Sequence, residues 1–412
     1  MNGRMLSALT EDRADAAAAV AARLGHERRP GEEFAAFWSR VPVTGAVDRT
    51  GLHRQPEANQ PARIFFSSGG STGTPKFTLL GHREMLRNSA VHGRGYRSCG
   101  IGPRDTVAAW GMAGTMNSEF TMYLALAETG CCTLPLGKSE DPDSVIDLVT
   151  RFDANVLLVM PSNLGPVIAR LEETGRRLES VRLVVTGGEP LYPSDEARFR
   201  KSLRDATVFR SVFQTSDTGT IGYQCGSCGP GEFHLHEELQ LAELVEVDDD
   251  GTGQLITTNL ERHLTPVVRQ RTGDLARALR QPCPCGDTAP RIRLAGRAGK
   301  IVKFGGEKFA LNALMRLKEE LGLPLDDFEA VLVRDDAGRD RFVIGSRLLS
   351  RDARLQEKAR ELFSRISPVV AAQLERGVVG PLGFSDRAAG VARTASGKTA
   401  SFTDRREAAS GG

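Results

Sequence analysis

The 412-residue chain has no stretch of about 18 consecutive apolar residues, so no segment is expected to cross a membrane as a helix. It also lacks an excess of either charge. The 54 basic and 52 acidic side chains leave a formal charge of +2, too weak a field to point to nucleic acid or an anionic membrane. A disulfide framework is missing as well: Cys99, Cys131, Cys132, Cys225, Cys228, Cys283 and Cys285 are odd in number and unevenly spaced, which argues for reduced thiols and a cytoplasmic setting. The apolar run from Ala16 to Ala22 follows Glu11, Asp12, Arg13 and Asp15 and ends at Arg23, so it reads as an amphipathic helix and not as a signal peptide.

What is present begins with length, which is enough for two domains. Apolar runs of strand length recur at Thr106–Trp110, Cys132–Leu136, Val156–Met160, Leu183–Thr186 and Val208–Phe213, separated by helical stretches from His82 to Arg97, Glu119 to Thr129 and Val167 to Arg177. Runs that are apolar throughout and alternate with helices predict an α/β fold, a largely parallel sheet with helices on both faces. Further on, Leu239–Val247 and Gly253–Asn259 read as a hairpin turned by Asp248–Gly251. A second hairpin, Phe328–Val333 with Arg341–Ile344, and one long helical pattern from Arg351 to Glu375 suggest a small α+β unit at the C-terminal end.

Directly after Ile64-Phe65-Phe66 comes Ser67-Ser68-Gly69-Gly70-Ser71-Thr72-Gly73-Thr74-Pro75-Lys76. Glycines let backbone N–H groups converge on one concavity, and the hydroxyls and ammonium add donors, so the segment suits phosphate. It is not a Walker A loop, because Thr74 and Pro75 separate Gly73 from Lys76. The order of these residues resembles the nucleotide-phosphate loop of the adenylate-forming superfamily, which includes acyl-CoA ligases and peptide-synthetase adenylation domains.

Four more segments extend the resemblance in the same order, over roughly residues 61 to 400. Gly188-Glu189-Pro190 is similar to the family's adenine-lining turn. Phe213-Gln214-Thr215-Ser216-Asp217 is similar to the segment that holds adenine, α-phosphate and magnesium, with Asp217 standing where glutamate is usual. Thr272-Gly273-Asp274 resembles the ribose-binding triplet. Arg297 and Gly299 fall in the stretch that resembles the family's hinge, Arg297 facing ribose or phosphate and Gly299 replacing the usual Asp or Lys; glycine suits a pivot. Arg393-Thr394-Ala395-Ser396-Gly397-Lys398 resembles the C-terminal catalytic lysine loop.

Residues 1–60 read as helices followed by a connector containing proline, glycine and glutamine. The resemblance implies a large ATP- and acyl-binding domain over 61–296 and a small mobile α+β lid over 297–412. It implies ATP, Mg²⁺ at Asp217, and catalysis by Lys398, Asp217 and Thr72. Met112, Ala113, Gly114, Met116, Asn117 and Phe120 would line the acyl pocket; the methionines and Phe120 favour an apolar or aromatic acid, whereas Asn117 or Glu119 would select a polar one. Coenzyme A is the default acceptor, with a carrier-protein phosphopantetheine or a partner's cysteine open as alternatives, and a homodimer carried as an option. A zinc-stapled binding or scaffold protein without activity is the reading from another class.

The paired thiols Cys225-x-x-Cys228 and Cys283-x-Cys285, with His234 and His236 nearby, have the donor types for tetrahedral zinc. Pro282-Cys283-Pro284-Cys285-Gly286 and Phe233-His234-Leu235 resemble the phenylacetate:CoA ligase branch. On that resemblance the expected ligands are Cys228, His234, Cys283 and Cys285, with Cys225 as competitor, forming a structural clamp.

Overall fold

The computed structural model describes residues 4–6, 9–45, 63–67, 77–110, 117–137, 141–215, 217–298, 301–304, 307–324, 327–335, 339–366, 368–386 and 402–405. The expected positions 68–76, 112–114, 116, 216, 299 and 398 lie outside the described residues, as does the side chain of Asn117.

The parallel core follows from alternation along short apolar strands. In Thr106–Trp110, Val107 and Ala109 pack on one face against Tyr96, Ala125 and Leu126 of the helices His82–Cys99 and Asn117–Ala127. Ala108 and Trp110 point to the other face, among Ile146, Leu164, Ile168 and Phe199 of the helices Pro142–Arg151, Pro161–Thr174 and Pro193–Lys201. A strand covered on both sides has no polar face to present, which is why these segments read as unbroken apolar runs.

Strands Cys132–Gly137, Thr106–Trp110, Val156–Val159, Leu183–Thr186 and Val208–Thr215 lie side by side and parallel. From Val208–Thr215 the sheet continues antiparallel through Gly219–Tyr223, Glu232–Leu235, Arg291–Arg297, Gln270–Leu279, Thr252–Asn259 and Gln240–Val245, and ends at Arg4–Met5. The α/β class expected from sequence is therefore the observed one, with parallel pairing confined to the five strands named first and antiparallel pairing in the rest of the sheet. The helices Glu11–Ala22 and Phe34–Arg40 pack their apolar faces on the antiparallel half, against Leu241, Leu260 and Val268. Arg269 and Glu243 form an ion pair beneath them, 2.9 Å apart and buried on both sides. Arg269 also donates to the carbonyls of Trp38 and Val41, so the charge is satisfied from several directions.

Residues 304–384 contribute a separate apolar core containing Phe304, Phe309, Leu317, Phe328, Phe342 and Phe363. Its sheet has the order Gly383–Ser385, Asp340–Gly345, Glu329–Arg334, Phe402–Asp404. The edge strand Phe402–Asp404, parallel to Glu329–Arg334, has no counterpart in the sequence reading. The single helix expected from Arg351 to Glu375 is a correction, because the structure has three helices there: Arg347–Arg351, Ala353–Ile366 and Pro368–Glu375. Asp352 accepts hydrogen bonds from the N–H groups of Arg354 and Leu355, starting a new helix, and Pro368 restarts the chain because it carries no N–H and disfavours helical backbone before it.

Candidate active site

Open α/β sheets bind ligands beyond the carboxyl ends of their parallel strands, and two of the motif segments follow neighbouring strands at that end. Leu183–Thr186 and Val208–Thr215 are register neighbours, with Thr186 opposite Ser211 and their hydroxyls 2.7 Å apart. The first strand leads into Gly188, whose φ of +78° is a left-handed conformation that suits glycine, and then into Glu189 and Pro190. The second delivers Phe213, Gln214 and Thr215, and then Asp217.

The turn that follows is fixed from several sides. Thr215 Oγ1 accepts the Thr218 N–H at 3.1 Å, and the Thr218 carbonyl accepts the side-chain amides of Gln240 at 3.1 Å and Asn259 at 2.7 Å. Gly219 has φ of +83°, and a Cβ there would sit 2.6 Å from Asn88 Oδ1, so helix His82–Cys99 closes against the turn only because this residue has no side chain. Asp217 itself accepts a hydrogen bond from Gln270 Nε2 at 3.2 Å. Gln270 is buried on strand Gln270–Leu279, which also carries Asp274. Asp274 is 6% exposed and pairs across the ladder with Arg297, whose Nη1 lies 2.8 Å from Asp274 Oδ1.

The Gly-rich segment connects two antiparallel strands, Arg63–Ser67 and Phe77–Gly81, with Ser67 opposite Phe77. Thr265 Oγ1 accepts the Leu79 N–H at 3.0 Å, tying this hairpin to the chain just before Gln270. Phe120, on the first turn of Asn117–Ala127, lies with its ring 6.5 Å from that of Phe66 in the same hairpin. The structure thus sets Gly188–Pro190 and Phe213–Thr215 at the carboxyl ends of neighbouring strands, links Asp217 to Gln270, and pairs Asp274 with Arg297 further along the strand that Gln270 begins. Gln270 was not singled out from sequence: a glutamine two residues before a motif carries no signal of its own until the strand register shows which way it points.

A second cluster joins the turn after Gly219–Tyr223, strand Glu232–Leu235 and the turn after Gln270–Leu279. One donor atom each from Cys225, Cys228, His234 and Cys283 lies within 4.8 Å of the others. Cys225 Sγ is 3.5 Å from both Cys228 Sγ and Cys283 Sγ. Sulfurs bound at the usual zinc distance around a tetrahedral ion stand about 3.8 Å apart, so the set fits such an ion. Cys285, a member of the expected set, is exposed with its sulfur 3.6 Å from His234 Nε2, and the buried Cys225 occupies the inner place. Burial pushes the Cys225 and Cys228 thiols up and the His234 imidazole down, and Cys285 is pushed up to about 11, also by burial first. Tyr223 stacks on His234 at 5.3 Å and donates its hydroxyl to Asp287. His236 also packs against Tyr223, with ring centroids 4.7 Å apart, and is not among the four clustered residues.

The model of the AMP-binding enzyme family matches residues 7–227, more than half of the chain. The chain belongs to this family. A phenylacetate-coenzyme A ligase from Aromatoleum evansii is 27% identical over 256 residues, 60% of this chain and 56% of that one, so the chain spans about half the length of such curated relatives. A 2-hydroxyisobutyryl-CoA ligase solved in its postadenylation state with 2-HIB-AMP aligns with a TM-score of 0.73 at 16% identity, covering 96% of this chain and 90% of its own. The same ligase with 2-HIB-AMP and CoA in the thioesterification state aligns at 0.58 and 18% identity over the same shares. This chain is closer in shape to the first arrangement.

Proposed function

We propose that the protein joins a carboxylic acid to ATP, releasing pyrophosphate, and passes the acyl group from the resulting acyl-adenylate to a thiol, with coenzyme A as acceptor. Carboxylate oxygen attacks the α-phosphorus and pyrophosphate leaves; thiol sulfur then attacks the acyl carbon, AMP leaves, and the thiol proton is released. The first attack brings two anions together, so the chain must supply donors and positive charge around the developing negative charge.

Backbone N–H groups, hydroxyls and Lys76 of residues 68–76 are assigned to the β- and γ-phosphates, with Thr72 among them. Gly188, Glu189, Pro190 and Phe213 are assigned to adenine, Gln214, Thr215 and Ser216 to adenine and α-phosphate, and Asp274 with Arg297 to ribose. Lys398 is assigned to the substrate carboxylate and α-phosphate during adenylation. Asp217 would hold Mg²⁺, a hard cation suited to a carboxylate plus phosphate oxygens, which would neutralise charge on the nucleotide. The acid site is assigned to Met112, Ala113, Gly114, Met116, Asn117 and Phe120, favouring an apolar or aryl acid. Cys225, Cys228, His234 and Cys283 would hold a structural Zn²⁺ that ties the antiparallel strands together. Residues 297–412 act as a lid pivoting at Gly299, which lets one carbonyl meet first ATP and then a thiol.

The observation that carries this reading is the Gln270–Asp217 contact, since it sets a carboxylate at the strand ends beside the strand that bears Asp274. The test is acid-dependent release of pyrophosphate over a panel of aryl and short acyl carboxylates, with coenzyme A, with a carrier-protein phosphopantetheine, and with neither. Acid-dependent release that yields a thioester only with coenzyme A is expected; no release with any acid of the panel would leave a binding protein.

A further inference from the structure

Lys318 is completely buried, and its Nζ lies 3.0 Å from Asp195 Oδ2, itself 1% exposed. The same ammonium sits 4.3 Å from the centroid of the Tyr192 ring. These partners come from different units. Lys318 is on helix Asn312–Glu320, part of the C-terminal core, whereas Tyr192 caps and Asp195 begins helix Pro193–Lys201, which covers the parallel sheet. Helix Pro193–Lys201 starts three residues after Pro190, the last residue of the turn assigned to adenine.

A buried ion pair is a poor way to glue two surfaces permanently, because desolvation of each ion offsets most of the attraction, and apolar side chains of the same size do as well or better. The arrangement makes sense where the surfaces must also part. On separation, an apolar contact would present a sticky patch to water, while an ammonium and a carboxylate regain their hydration. The cation over the Tyr192 face adds an attraction that depends on close approach and is lost on parting.

We propose that Lys318 is a positioning residue for adenylation: by docking on Asp195 and Tyr192 it holds the C-terminal unit against the helix that follows the adenine turn. Undocking then precedes thiol transfer. The arrangement in which the pair is formed is the one closer to the postadenylation shape. The inference rests on the proposed two-step reaction, and the test separates the two.

Lys318→Met, Asp195→Asn and the double variant are compared in the full-length chain. Lys318→Met leaves the Asp195 carboxylate buried, and Asp195→Asn leaves the Lys318 ammonium buried with Glu319 Oε2 at 3.9 Å; each lowers Tm, and the double variant, which removes both buried charges, recovers it. In the double variant, acid-dependent pyrophosphate exchange is expected to fall about tenfold while thioester formation from supplied acyl-adenylate changes by no more than about twofold. Amide hydrogen exchange within Pro193–Lys201 and Asn312–Glu320 is expected to quicken, a change that needs no substrate. A double variant whose two half-reactions and amide exchange match those of the unaltered protein overturns the inference. An unaltered protein that shows no pyrophosphate exchange with any acid overturns the functional reading instead, and the amide-exchange comparison then still decides whether Lys318 holds the two units together.

Discussion

Gln270 Nε2 donates to Asp217 Oδ2 across 3.2 Å, from a buried position on the strand that carries Asp274 four residues further on. The amide fixes one oxygen of a carboxylate shorter than the glutamate usual in sequences of this pattern. A donor to an ionised acceptor contributes roughly 1.5–3 kcal/mol, enough to hold a single rotamer.

Gln270→Leu should therefore raise the Mg²⁺ concentration needed for half-maximal pyrophosphate exchange by about tenfold, since the carboxylate loses its support. Gln270→Glu should do more, by setting a second negative charge beside the first. Magnesium titrations of both variants, run beside Asp217→Asn, check this; curves that overlay the unaltered protein's would end the assignment of Gln270.

Lys398→Ala should suppress acid-dependent pyrophosphate exchange by a factor of about 10² to 10³, the usual cost of removing a donor aimed at developing charge. Nucleotide affinity, measured by calorimetry, should stay nearly unchanged. Exchange at the original rate refutes the lysine's role.

In the cysteine cluster the inner thiols should matter more than the outer one. Cys225→Ser and Cys283→Ser should lose most of the bound metal by elemental analysis and lower Tm, while Cys285→Ser should retain it, because its sulfur is exposed and outside the compact set. Ligation needs thiolates, so metal retention should fall as pH drops. Equal loss in all three variants would place Cys285 among the ligands.

His92 and His236 carry a pH dependence of their own. Burial holds each imidazole down to about 3. Because the folded values lie below the unfolded value near 6.5, the unfolded chain binds these protons first, and stability is complete above that value and lost as pH falls from there toward 3. Each group should contribute a loss on the order of 1 kcal/mol per pH unit in that window. His92→Gln, which can keep a hydrogen bond to Thr220 Oγ1, should flatten the fall in Tm between pH 7 and pH 5; an unchanged slope would remove His92 from the explanation.

The parallel half of the fold was legible because its strands are short, apolar on both faces and bounded by turn residues, so Thr106–Trp110 and Leu183–Thr186 coincide with their sequence readings. The break at Pro368 was legible in principle from that proline alone, yet the helical periodicity on either side hid it. What no local pattern could supply was pairing at long range. Arg291–Arg297 inserts between Glu232–Leu235 and Gln270–Leu279, and this register decides that Arg297 meets Asp274 and brings the turn holding Cys283 toward Cys225. Likewise Lys318 was not singled out from sequence, and only the packing of two distant helices makes it an interior charge. Of the proposed site, the motif residues were readable as types in order; their supports were not.

The small sheet draws on strands from both sides of Lys398 in the sequence. The chain leaves one edge of that sheet at Ser385 and rejoins the opposite edge at Phe402, four residues past the lysine. In the sequence, Lys398 falls between these two strands. An expression product that ends before Phe402 should lose the strand that pairs with Glu329–Arg334 and silence acid activation, while the large sheet and its helices stay intact.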